Sequence, residues 1–117
     1  MSKRKDNDNT SFFGRLEFVM VSVCLLWDEN LTATERLLLG TILGLHFHTG
    51  YGCYASNSYL GKVLNLSNSR TSALLTKLKR LGYIEINFIR DQFSGKVCKR
   101  YITPLKYDIY YENWALD

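Results

Sequence analysis

Thr71, Leu74, Leu75, Leu78 and Leu81 recur at three- and four-residue spacing, which predicts an amphipathic helix across Ser67–Leu81. At about 100° per residue, the side chains most nearly opposite this stripe are Ser69, Ala73, Thr76 and Arg80, with Arg70 and Lys77 on its flanks. A shorter pattern upstream predicts a helix from Asn57 to Leu64. There Leu60, Val63 and Leu64 face inward, and Ser58, Gly61 and Lys62 face outward. Ser56 and Ser67 suit the N-cap positions of these two helices, because a hydroxyl can accept an otherwise orphaned backbone N–H. Asn65 tolerates the positive φ that a tight turn between them needs, and Leu66 is expected to plug the core. A longer helix comes first. Thr32 and Glu35 form a capping box ahead of it, and it is predicted to run from Ala33 to about His48, with Gly50 as its stop. Leu37, Leu38, Leu39, Ile42, Leu43, Leu45 and Phe47 make it apolar over most of its circumference, as in a central core helix or a dimer-interface helix.

After Gly82 the period changes from 3.6 to 2. Ile84, Ile86 and Phe88 alternate within a strand predicted over Tyr83–Ile89. Asp91–Lys96, which contains Ser94-Gly95, is the hairpin tip, and Val97–Thr103 is the returning strand. Two strands alone are marginal in water, so a short strand at Cys53–Ala55 is expected to join them. The predicted class is α+β: a winged helix-turn-helix, with a three-helix core, a β-hairpin wing and a short additional strand. Residues 1–11 are read as a polar arm, residues 12–105 as the domain, and residues 106–117 as an aromatic-rich extension. Within Phe12–Trp27 a strand is expected near Glu17–Val21, then a helical turn at Val23–Trp27. In the extension, Ile109 and Trp114 mark a short helix. Its aromatics either pack back on the core or form a partner surface.

Charge sharpens this picture. The 117 residues carry a net charge of +4, unevenly distributed. Between Leu60 and Lys106 ten basic residues face only Glu85 and Asp91, and residues 36–84 contain no carboxylate at all. That asymmetry is the footprint of a polyanion-binding face. An anionic membrane fits less well, since these bases sit on a helix and a hairpin rather than beside an exposed apolar stripe. The apolar run Phe18–Trp27 is too short to span a bilayer and is closed by Asp28 and Glu29. No signal-peptide pattern follows MSKRKDNDNTS, so a cytoplasmic location is expected. Cys24, Cys53 and Cys98 are odd in number and widely spaced, as for reduced, buried or half-buried thiols. His46 and His48 stand two apart on a helix and cannot share one metal, so no metal or other cofactor is expected. With no phosphate-cradling Gly-rich loop, no H-E-x-x-H and no carboxylate cluster, no enzymatic activity is expected either.

The segment CYASNSYLGKVLNLSNSRTSALLTKLKRLGYIEI resembles the winged-helix domains at the N-terminus of phage and plasmid replication initiators, including DnaD-like and RepA-like proteins. LTATERLLLGTIL resembles the first helix of that family, so the resemblance covers roughly residues 31–103. The family's C-[FY]-P-S step stands here as Cys53, Tyr54, Ala55 and Ser56. Asn65 replaces a usual Gly, and Ser67-Asn68-Ser69-Arg70 replaces a usual Ser-Arg-Arg-Thr. The resemblance implies origin binding in phage or plasmid replication, as a homodimer and with a replication-protein partner. A winged-helix transcriptional regulator and a winged helix repurposed for protein contacts are the alternatives.

An outer helix face that is small, polar and cationic can enter a DNA major groove without steric or electrostatic penalty. The reading is sequence-specific binding of double-stranded DNA. Ser69, Ala73, Thr76 and Lys77 are placed near base edges, with Asn68 and Ser72 at the margin and Arg70 on guanine or phosphate. Arg80 is assigned to the DNA backbone, Lys62 on the outside of its helix to the DNA-binding set, and Ser56, Asn57 and Ser58 at a helix N-terminus to a phosphate. On the wing, Arg90, Lys96, Lys99 and Arg100 are assigned to phosphate or the adjacent minor groove. The plain alternative for each of these residues is a solvated face. Lys3, Arg4 and Lys5 are either a groove-touching arm or a solvated tail.

Overall fold

The computed structural model describes residues 18–49 and 53–116. The arm at residues 1–11, the predicted strand start at Glu17 and the glycine loop at residues 50–52 lie outside that range. The described part of that expected strand, residues 18–21, forms no strand. Ser22 caps the single turn α1 (Val23–Leu26) by accepting the Cys24 N–H. The capping box forms as expected. Thr32 N donates to Glu35 Oε1 at 2.8 Å, and Glu35 N donates to Thr32 Oγ1 at 3.2 Å. It opens α2 (Ala33–Thr49). This helix is the core element: Leu38, Leu39, Ile42, Leu43 and Leu45 are buried, while Leu37 is left exposed.

Helices α3 (Asn57–Leu64) and α4 (Asn68–Arg80) pack on it as a helix-turn-helix. Ser56 and Ser67 cap them, accepting Tyr59 N and Arg70 N at 3.0 and 3.1 Å. Both helices close with the same pair of backbone bonds, a Schellman arrangement. In α3 Asn65 N donates to Lys62 O and Leu66 N to Gly61 O, with Asn65 at φ 60°. In α4 Gly82 N donates to Lys79 O and Tyr83 N to Leu78 O, with Gly82 at φ 86°. That second turn swings the chain off the helix axis. Tyr83 enters the core in place of Leu81, which stays exposed although the periodicity put it in the stripe. Gly61 also departs from expectation, since it faces inward. A Cβ there would stand 2.5 Å from the Leu66 carbonyl oxygen, so the turn closes only over a glycine.

The wing is the antiparallel pair β1 (Ile84–Arg90) and β2 (Val97–Pro104), in the register Ile84↔Pro104 through Arg90↔Val97. Among the described residues the additional strand is realised as a single bridge, Cys53↔Ile102, with Ile102 N donating to Cys53 O at 2.8 Å. It goes no further because Ala55 turns into the core and Ser56 begins the next helix. A last helix, α5 (Ile109–Leu116), packs against α2. Tyr111 is buried there, its hydroxyl donating to Met20 O at 2.7 Å and accepting Ser22 N at 3.0 Å. The extension is therefore part of the core at Tyr111; the Trp114 side chain lies outside the described set.

Asp28 ties three regions together. Its Oδ2 accepts the hydroxyls of Tyr83 at 2.6 Å and Tyr107 at 2.8 Å. Burial, and then its own bond to the Asp28 carboxylate, push the Tyr107 hydroxyl up to about 12. Burial alone would raise the Asp28 carboxyl, but the two tyrosine hydroxyls overcome it and hold the carboxyl low. The thiols are only partly as expected: Cys53 is buried and Cys24 half-buried, but Cys98 is exposed.

Candidate nucleic-acid interface

Helix α4 divides cleanly by burial. Thr71, Leu74, Leu75 and Leu78 are buried, and Asn68, Ser69, Arg70, Ser72, Ala73, Thr76 and Arg80 are all exposed. The two sets alternate at helical spacing because Leu74, Leu75 and Leu78 anchor on α2 and α3 and leave the opposite surface to water. Thr71 is buried without penalty because its hydroxyl donates to Ser67 O at 2.8 Å. Outward, Ser69 Oγ lies 3.4 Å from Ser67 Oγ. Among the described residues Arg70 and Arg80 enter no ion pair.

Lys77, which the sequence places near base edges, differs in having a partner within the fold. Its Nζ sits 2.8 Å from Glu35 Oε2, and the Glu35 side chain is only 3% exposed. Burial alone would raise the Glu35 carboxyl. The Lys77 ammonium and the Thr32 backbone N–H reverse that and hold it below the ordinary range. Lys77 thus stands on the shoulder between the outer face and the core, where it neutralises an acid. The sequence held a clue: residues 36–84 offer no other carboxylate.

The wing side splits the same way. Arg100 was assigned to phosphate, but it is half-buried and faces the body. Its guanidinium donates to Asn57 Oδ1 and to Ala55 O, both at 2.8 Å. It clamps β2 to the start of α3, and it takes up the Asn57 side chain that was assigned to DNA. Ser56 is likewise turned to its own helix as the cap, while Ser58 and Lys62 are exposed. Lys99 lies over the Tyr54 ring at 5.2 Å, a cation–π contact. Together Tyr54, Ser56, Ser58, Cys98, Lys99 and Arg100 line a cleft of about 970 Å³ between the α3 N-terminus and the wing. Its two cations and the positive end of the helix dipole give it an anion-attracting character. At the hairpin tip Arg90 donates to Gly95 O at 3.1 Å, and Lys96 is exposed.

Two exposed residues stand outside the set that the sequence assigns to DNA. Lys79 adds a further cation to the last turn of α4. Phe93 at the hairpin tip is 92% exposed. Its signal was a lone aromatic inside a turn otherwise made of Asp91, Gln92, Ser94 and Gly95.

Residues 29–84 match a family model described as a helix-turn-helix domain. The match spans α2, α3 and α4 and ends as β1 begins, so the hairpin completes a winged helix beyond the matched segment. A comparison with curated proteins finds no match. No described helix is long and apolar enough to cross a membrane.

Proposed function

We propose that this chain binds double-stranded DNA, with the outer face of α4 in the major groove and the wing on backbone and minor groove. One observation carries the reading. The exposed surface of α4 is built from Asn68, Ser69, Arg70, Ser72, Ala73, Thr76 and Arg80, which are small, polar or basic, on a helix-turn-helix frame. Ser69, Ala73 and Thr76 let the backbone approach base edges. Asn68 offers the donor–acceptor pair that matches adenine, and Arg70 the fork that matches guanine or phosphate. Lys62, Lys79 and Arg80 supply phosphate contacts, which position the helix without reading sequence. The clefted edge at Ser58 and Lys99 supplies a further one. The role is binding, with no chemical step.

The finer reading is origin binding in phage or plasmid replication, supported by the likeness of residues 31–103 to the winged-helix domains of replication initiators. Such domains hold repeated or inverted sites as dimers, so two protomers per site are expected. Selection of bound fragments from genomic and random DNA tests both levels. Enrichment of a defined repeated motif supports the origin reading, and a motif at promoters supports a transcriptional regulator. No enrichment, with no mobility shift at low ionic strength, sinks DNA binding and leaves a protein-contact module.

A further inference from the structure

We infer that the wing is a wedge: Phe93 inserts between base pairs from the minor groove and kinks the duplex. This rests on the DNA-binding reading above. A single exposed aromatic on a protein surface is ordinary, so exposure alone decides nothing. What distinguishes Phe93 is the way the chain holds it out. Asp91 Oδ2 accepts the backbone N–H groups of Phe93 at 3.2 Å and Ser94 at 2.7 Å. Asp91 N donates to Lys96 O, and Gly95 N donates to Asp91 O, both at 2.8 Å. Lys96 N donates to Ser94 Oγ at 3.2 Å, and the Arg90 guanidinium braces the Gly95 carbonyl from outside. The turn is cross-tied by its own polar groups, yet no core lies beneath it. The last three residues of β1 and the first three of β2 are all exposed. A rigid turn with a bare phenyl ring at its crest loses little conformational freedom on insertion.

Charge and reach agree with a wedge. Arg90 and Lys96 flank the tip, where they can meet phosphates on either side of an opened step. Asp91, the one acid at the tip, has its carboxylate turned inward onto the turn's own N–H groups. β1 spans roughly 20 Å at about 3.3 Å per residue. Half a turn of B-DNA is about 17 Å, so a wing of this length can reach the groove next to the one that α4 occupies. Pyrimidine–purine steps open most easily, so the wedge would add a preference for such a step at a position α4 never touches.

The test uses the full chain and a duplex recovered by selection from a random-sequence library. The duplex carries a dye pair at its ends, and 2-aminopurine replaces adenine at each pyrimidine–purine step flanking the site. Wild-type protein is expected to shorten the dye separation and brighten one 2-aminopurine. Phe93→Ala is expected to keep its circular dichroism spectrum, bind about tenfold more weakly, and lose both signals; Phe93→Leu, still an apolar wedge, is expected to retain them. Arg70→Ala should weaken binding yet leave the bound duplex bent. A wild-type complex with straight, fully stacked DNA overturns the wedge and leaves DNA binding standing. So do signals that survive Phe93→Ala. Failure of the wild type to bind any duplex overturns both readings.

Discussion

The helix-turn-helix and the hairpin present the two surfaces that the proposed function assigns to one ligand, and the fold secures them by opposite means. Helix α4 owes its position to burial, because Leu74, Leu75 and Leu78 fix it against the core and its outer face can then be anything small and polar. The outer half of the wing has no such anchor. From Phe88 to Lys99 its residues are largely exposed. It is positioned by polar ties at its two ends, the Arg100 clamp on Asn57 and Ala55 and the cross-bonded turn at Asp91. A surface set by packing and one set by hydrogen bonds should fail in different ways.

The largest effect tests that contrast directly. Leu78→Ala removes a side chain with no exposure and should cost about 3 kcal/mol of folding stability in chemical denaturation. Ile89→Ala on the wing, at 42% exposure, should cost less than about 0.5 kcal/mol. Similar losses would mean that the wing shares the core after all.

Next in size is Lys77→Ala, which strands Glu35 in a buried position. Breaking a fully buried pair costs about 3–5 kcal/mol. Lys77 itself is more than one-third exposed, which reduces the expected loss to about 1–2 kcal/mol. The effect should depend on pH. Glu35 titrates below its unfolded value of 4.5, so its contribution is complete above that value and disappears as pH falls through the lowered one. The gap between wild type and variant, measured by urea unfolding, should therefore narrow below pH 4.5. A gap constant down to pH 2 would mean that the ion pair does not carry the effect.

Lys77 also shows where the sequence was legible and where it was not. Local signals read true: the Thr32–Glu35 box, the Ser56 and Ser67 caps, the left-handed Asn65 and the Gly82 stop are all set by groups within a few residues of one another. The hairpin followed for the same reason, from Gly82 and the change of period. What could not be read was the destination of long polar side chains. The Lys77 partner lies 42 residues away and the Arg100 partner at Asn57 lies 43 away, so periodicity places these residues on a face but cannot say what they reach back to. Gly61 was misread outward because its neighbour, the Leu66 carbonyl, arrives only when the turn closes. For the outer face of α4, helical phase alone sufficed, since exposure there needs no partner.

A smaller effect separates binding from folding. Arg70→Ala should weaken DNA binding about tenfold, near 1.4 kcal/mol, and change stability by less than about 0.5 kcal/mol, because Arg70 is exposed and unpaired among the described residues. Fluorescence anisotropy across a salt series should give a log–log slope of several units in the wild type, and a shallower one in Arg70→Ala if Arg70 neutralises a phosphate. An unchanged slope with reduced affinity would place Arg70 on a base edge. A slope near zero in the wild type would remove the polyanion from the proposal.

The smallest effect concerns the other end of the wing. Hydrogen bonds from Ser94, first its backbone N–H, hold the Asp91 carboxyl below its ordinary value of 3.8. As a depressed acid, Asp91 keeps the turn tied at every pH above that value and releases it only as pH falls through the lowered one. The Ser94 amide proton resonance should therefore titrate with a midpoint below 3.8. In Asp91→Ala that titration should vanish, and amide exchange at Phe93 and Ser94 should quicken. The global unfolding midpoint should scarcely move, since the tip rests on no core. Should Asp91→Ala instead unfold the domain at a lower denaturant concentration, the wing would be coupled to the body well beyond the Arg100 clamp, and the division between a packed surface and a tied one would fail.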